Sequence, residues 1–170
     1  MKRWSHRARH GGALVEAAIL IPLILAFLIG TVQLARITYT YYMLQKIMAN
    51  LARYLGTQQG VNFCDSADPT VQSAINYALT GTTDGSGDAL VTGVTASMFQ
   101  VIAERYDPAG QQLGACDCSA TGCDASQGGL PPGYIVVSLT DGYTVQPLFW
   151  GFSVPSFALH PTVRVPYGGT

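Results

Sequence analysis

Four cysteines, a histidine apart from the basic N-terminus and a few scattered acids are the side chains whose types and spacing could do chemistry in this chain. Cys64, Cys116, Cys118 and Cys123 could hold zinc or form two disulfides. Zinc sites are built from paired knuckles, whereas the run "CDCSATGC" has no C-x-x-C pair and no histidine near it. An even cysteine count in an exported chain of this size favours disulfides. Bridging Cys116 to Cys118 would strain the bridge geometry. The expectation is therefore Cys64 joined to one of Cys116 and Cys118, and Cys123 to the other. Asp84-x-Ser86-x-Asp88 in "TTDGSGD" has the spacing of the first half of a calcium loop, but no glutamate follows at the far ligating position, so a solvated turn is expected. His160 stands beside Pro161 in a strand-like region and reads as a packing or surface residue. Glu104 and Asp107 read as solvated acids near a turn. No G-x-S-x-G, H-E-x-x-H or glycine-rich phosphate loop occurs. The expectation is no enzyme, no cofactor and no metal.

One further acid is out of place. Glu16 stands in "RARHGGALVEAAILIPLILAFLIG", four residues after Gly12 and at the head of a long apolar segment. From Ala17 to Ala35 there are 19 residues without formal charge, about 28 Å of helix and enough for one bilayer crossing. The run is apolar on every face, unlike a core helix with one polar stripe. A carboxylate in lipid costs roughly 2.5–3.5 kcal/mol on insertion scales, so Glu16 calls for a reason. Pro22 removes one backbone donor and should kink the helix.

Charge gives the orientation. Lys2, Arg3, Arg7 and Arg9 precede the span, while five Lys/Arg and ten Asp/Glu follow residue 11, leaving the remainder near −5. Basic residues before a span hold the N-terminus in the cytoplasm, so the chain beyond about residue 36 lies outside. An acidic body without a clustered basic face argues against nucleic-acid binding. An ordinary secretory signal would need a shorter apolar core and a cleavage site at its far end, and here the helix-favouring sequence runs on.

The elements that must position these residues follow from periodicity. Leu34, Ile37, Tyr41, Leu44, Ile47 and Leu51 recur at spacings of three and four, one face of a helix, with Arg36, Lys46 and Arg53 off that stripe. Tyr39, Tyr41 and Tyr42 suit either an interfacial belt or packing in the head. Asp68-Pro69 starts a second helix with stripe Val71, Ile75, Ala78 and Leu79, and Gly81 ends it. "MFQVIAERYD" (98–107) reads as a strand followed by a turn at "PAGQ". "YIVVSLTDGYTV" (134–145) holds two β-rich runs around Asp141-Gly142, a hairpin signal that could equally be crossed with a bulge. "SFALHPTVRVPY" (156–167) is a last strand region broken at Pro161. The fold class is α+β: a long N-terminal helix, transmembrane then amphipathic, packed on a small antiparallel sheet. The division expected is a leader at 1–11, the membrane half of the helix at 12–35, its amphipathic half at 36–56, and a head at 57–170 with a disulfide-pinned loop near 110–129.

A basic leader, a glycine, four further residues, then Glu and an apolar helix resemble a type IV prepilin signal. More narrowly, residues 11–57 resemble the TadE-like segment of minor pseudopilins in tight-adherence (Tad, or Flp) pilus systems, through Val15-Glu16, Pro22 and "LARYLG". Ala17 departs from the aromatic residue usual after the Glu. The resemblance implies cleavage by a prepilin peptidase at the Gly11–Gly12 pair, making Glu16 the fifth or fourth residue of the mature chain. It implies that Glu16 meets the N-terminal amine of a neighbouring subunit during assembly. The implied partners are other pilins or pseudopilins, the pilus assembly platform and the inner membrane, with no nucleic acid. Two rival expectations are an uncleaved TadG-like single-span anchor of the same apparatus and a membrane-tethered extracytoplasmic ligand-binding module.

Overall fold

The computed structural model describes residues 10–108, 110–118, 123, 128–149, 152–153 and 155–169. Helix α1 (His10–Thr57) is a single 48-residue helix that runs unbroken through Pro22, about 72 Å long at the standard rise. It begins at His10, so the Gly11–Gly12 pair lies inside its first turn rather than before it. Residues 1–9 of the expected leader lie outside the described residues. Helix α2 (Pro69–Thr80) starts as its sequence requires: Oδ1 of Asp68 accepts from the Thr70 and Val71 backbone N–H groups at 2.8 and 3.3 Å. Pro69 supplies the pre-set φ of the first position. Gly81 closes the helix in the left-handed region at φ 80° and donates to Tyr77 O at 2.9 Å, a conformation a Cβ would disfavour.

The strands β1 (Phe99–Asp107), β2 (Gln112–Ala115), β3 (Tyr134–Leu139) and β8 (Thr162–Pro166) form an antiparallel sheet in the order β2-β1-β3-β8. Two short ribbons lie between β3 and β8 in sequence: β4 (Tyr143–Val145) pairs β7 (Phe157–Leu159), and β5 (Leu148–Phe149) pairs β6 (Phe152–Ser153). Asp141-Gly142 therefore does not reverse the chain. Both edges of β3 are already taken, by β1 and β8, so β4 cannot fold back on it. Gly142 (φ 70°) instead carries the chain onward, and a Cβ there would strike the His160 imidazole just after β7.

The core lies between one face of α1, helix α2 and the inner face of the sheet. Ile47, Leu51 and Leu55 of α1 meet Val71, Ile75 and Leu79 of α2 and Ile135 and Val137 of β3, all buried. Only the distal part of the sequence stripe takes part. Leu44, Ile47 and Leu51 are at most 1% exposed, whereas Leu34 is 65% exposed and Tyr41 38%, because the covered face of the helix runs through the half-buried Gln33, Ile37 and Thr40 and those two residues lie to one side of it. The chain's last residues close the helix end. Gly168 N–H donates to Gly56 O at 2.8 Å, and the Tyr167 hydroxyl donates to Gln58 O at 2.7 Å. The Tyr167 ring also meets Phe63 edge-on, 5.6 Å between centroids. These bonds satisfy carbonyls that a helix terminus leaves without intrahelical partners.

Candidate interaction surface

The prominent feature of the molecule is a bare apolar rod. From Gly12 to Val32 every residue of α1 is exposed except the half-buried Gly30. Phe27 is 70% exposed and Ile19 67%. Monomeric soluble proteins rarely leave contiguous apolar surface of this extent uncovered, and α1 is long and apolar enough to cross a membrane once. Its polar groups are largely satisfied within the helix. The Thr31 hydroxyl donates to Leu28 O at 2.8 Å, and farther along Thr38 and Thr40 donate to Leu34 O and Arg36 O at 2.9 Å. Pro22 lacks an N–H, which frees the carbonyl four residues before it, that of Ala18.

Glu16 is exposed one turn after Gly12. On this apolar stretch of helix it is the lone formal charge before Arg36. A negative side chain so near a helix start gains roughly 0.3–1 kcal/mol from the helix dipole, too little to offset transfer into lipid. A positive partner would offset far more. Gly11 and Gly12 sit at the same end, and a Cβ on Gly12 would meet nothing within 4 Å. Space therefore does not require glycine at residue 12. Two consecutive glycines instead lower the helix propensity of the first turn by about 1 kcal/mol each relative to alanine, so an extended backbone is cheaply reached there.

The head holds its reactive-looking residues in structural roles. Cys64 bridges Cys118 and Cys116 bridges Cys123, with Cα atoms 5.4 and 5.8 Å apart; this is one of the two pairings the sequence left open. The first bridge ties the turn before α2 to the segment after β2, and the second places Cys123 in the core. Much of the expected loop at 110–129 lies outside the described residues. Among the described residues no group of three or more His, Cys, Asp and Glu comes together as a metal site. Oδ1 of Asp84 accepts from the backbone N–H and hydroxyl of Ser86 at 3.1 and 2.9 Å. Those bonds hold its carboxyl below the ordinary carboxylate range and close the loop on itself. His160 is exposed.

Glu104 departs from expectation. Instead of a solvated acid near a turn, it sits in β1 with a 16% exposed side chain, and Oε2 lies 2.8 Å from Nη2 of Arg164 in β8. That oxygen is buried and makes no hydrogen bond of good geometry, so the guanidinium supplies its compensation as an ion pair across β3. Sequence reasoning missed this pair, and also the closure of the helix end by Tyr167 and Gly168. Both depend on strand register, and no local pattern encodes which residues of β1 and β8 share a face of the sheet.

Residues 11–61 match the family model described as TadE-like protein, a family of tight-adherence pilus systems. The match spans the exposed rod, Glu16, Pro22 and the buried distal part of α1, and stops where the head begins. No curated protein and no solved structure matches the chain.

Proposed function

We propose that this chain is a minor pseudopilin of a tight-adherence type IV pilus, a subunit of its priming or tip complex. In this reading α1 crosses the inner membrane once with its N-terminus in the cytoplasm, and the head lies outside. A prepilin peptidase cuts at the Gly11–Gly12 pair, the new amine is methylated, and the assembly platform stacks the subunit against other pilins. The chemistry is helix packing and charge pairing rather than turnover. The observation that carries the proposal is a family match that covers the exposed apolar stretch of α1 from Gly12 to Val32, whose lone charge is Glu16. A carboxylate and a neighbouring subunit's N-terminal amine, each costly alone in lipid, relieve both penalties by pairing. Such pairing would draw subunits into register.

The test is Glu16→Ala in a piliated host, with cleavage followed by gel mobility and pili counted by electron microscopy. Cleavage stays near wild type and piliation falls if Glu16 serves assembly. Normal piliation by the variant would overturn the proposed role. One observation favours a second reading, the uncleaved TadG-like anchor: α1 already includes Gly11 and Gly12, so cutting requires the first turn to unwind. The glycine pair makes that unwinding cheap, and processing is therefore retained as the primary reading.

A further inference from the structure

The packed half of α1 has a second face. Opposite its buried Leu44, Leu51 and Leu55, the residues Tyr39, Tyr42, Lys46, Asn50, Arg53 and Thr57 are all exposed. Their spacings of three and four set them on one stripe. Tyr39 and Tyr42 are 65% and 61% exposed. No Asp or Glu occurs between Glu16 and Asp65, so this part of the helix holds no acid to balance Lys46 or Arg53. Neither cation makes an ion pair elsewhere among the described residues.

The head carries the opposite charge: from residue 57 to 170, nine Asp/Glu stand against two Arg. Several of these acids are already engaged. Glu104 pairs with Arg164, Asp68 caps α2, Asp65 accepts from Ala67 N–H at 2.8 Å, and Asp107 and Asp117 share a cleft with Arg105. Asp141 stands singly beside Gly142. Asp84 and Asp88 differ, being an exposed pair on one short loop after α2. No Lys or Arg occurs anywhere between Arg53 and Arg105. The loop is tied to α2: Asn76 Nδ2 donates to Thr83 O at 3.4 Å, and Leu90 N–H to Leu79 O at 2.9 Å. Two carboxylates are thus presented on anchored backbone.

We infer that the Tyr39–Arg53 stripe of α1 docks against the Asp84–Asp88 loop of a second copy of this chain. Charge complementarity selects the occupant: an acid-free cationic face meets a cation-free acidic loop of the same sequence. Lys46 and Arg53 lie about 10 Å apart along the axis, within the roughly 14 Å that four residues can span. The tyrosines and the arginine add side chains enriched in protein interfaces. Two different patches meet, so the contact is heterologous and can repeat head to tail without closing, as a stack of subunits requires. The inference rests on the subunit reading for that stack, though not on cleavage or on Glu16.

The sequence supplies its own reporter, because Lys2 and Lys46 are its only lysines. The full chain is purified from host membranes grown on light or on heavy nitrogen. The two forms are mixed in detergent, reconstituted in lipid vesicles and treated with a water-soluble carbodiimide, which joins a lysine amine to a carboxylate in contact with it. The expected product joins Lys46 to Asp84 or Asp88 in peptide pairs of mixed isotope. Arg53→Glu keeps both coupled groups at an exposed position and should lower that product by about fivefold, since a like charge then faces the loop. High salt should lower it as well. Coupling of Lys46 to these acids within one isotope alone places the contact inside the chain and overturns the inference. Coupling spread evenly over the head's carboxylates, or a yield unmoved by Arg53→Glu, also overturns it. The intact mass of the same sample reads processing separately. Mixed-isotope product from chains that keep Met1 supports the contact while overturning the cleaved-subunit reading. Its absence from chains that begin at Gly12 overturns the contact and leaves that reading standing.

Discussion

Two leucines of the same stripe should behave oppositely. Leu51 is 0% exposed, between α2 and the sheet, whereas Leu34 is 65% exposed on the bare part of α1. Leu51→Ala removes buried methyl and methylene groups and leaves a cavity, which costs about 2–5 kcal/mol in close-packed cores. Each kcal/mol lowers the midpoint of a domain of this size by roughly 3–5 °C, so the head should melt about 6–25 °C lower. Leu34→Ala touches no core and slightly improves helix propensity; its melting temperature should stay within about 2 °C of wild type, as for surface changes. The assay is thermal unfolding of the detergent-solubilised full chain with disulfides intact, followed by near-ultraviolet circular dichroism. Equal losses from the two variants, or none from Leu51→Ala, would refute the division of α1 into a bare and a packed part.

Tyr167→Phe should cost about 1 kcal/mol by removing the hydroxyl's bond to Gln58 O, read as a fall in denaturation midpoint. Burial raises the Tyr167 pKa above its ordinary 10.0, so the unfolded chain ionises first. Wild type therefore loses stability as pH rises from about 10 through the folded pKa, a loss that Tyr167→Phe abolishes in alkaline unfolding titrations. Peptide mapping without reduction should recover Cys64–Cys118 and Cys116–Cys123. Removing the first bridge as Cys64→Ala with Cys118→Ala, whose partners are 54 residues apart, should cost up to about 4 kcal/mol by the loop-entropy relation.

Legibility from sequence followed the range of the interaction. The helix ends were readable because capping is local: Asp68, Pro69 and Gly81 act within one turn. The α+β layout was readable because helix periodicity up to Gly81 gives way to strand periodicity beyond it. The extent of the packed stripe was not, since spacings of three and four drift around the helix and leave Leu34 about 100° away from Leu51, while the half-buried Gln33 and Ile37 carry the packed face beside it. Asp141-Gly142 left reversal and continuation open locally; the chain continues because a hairpin needs a free strand edge, and β3 has none. Glu104 looked like a surface acid because its partner lies 60 residues away in β8, across an intervening strand. The role proposed for Glu16 calls for a second subunit, which no single chain contains.

The most direct measurement is the intact mass and N-terminal sequence of the protein extracted from the membranes of a piliated host. The account predicts loss of residues 1–11 and a methylated amine on Gly12, four residues before Glu16. A chain that retains Met1 would contradict it and make this protein an uncleaved anchor.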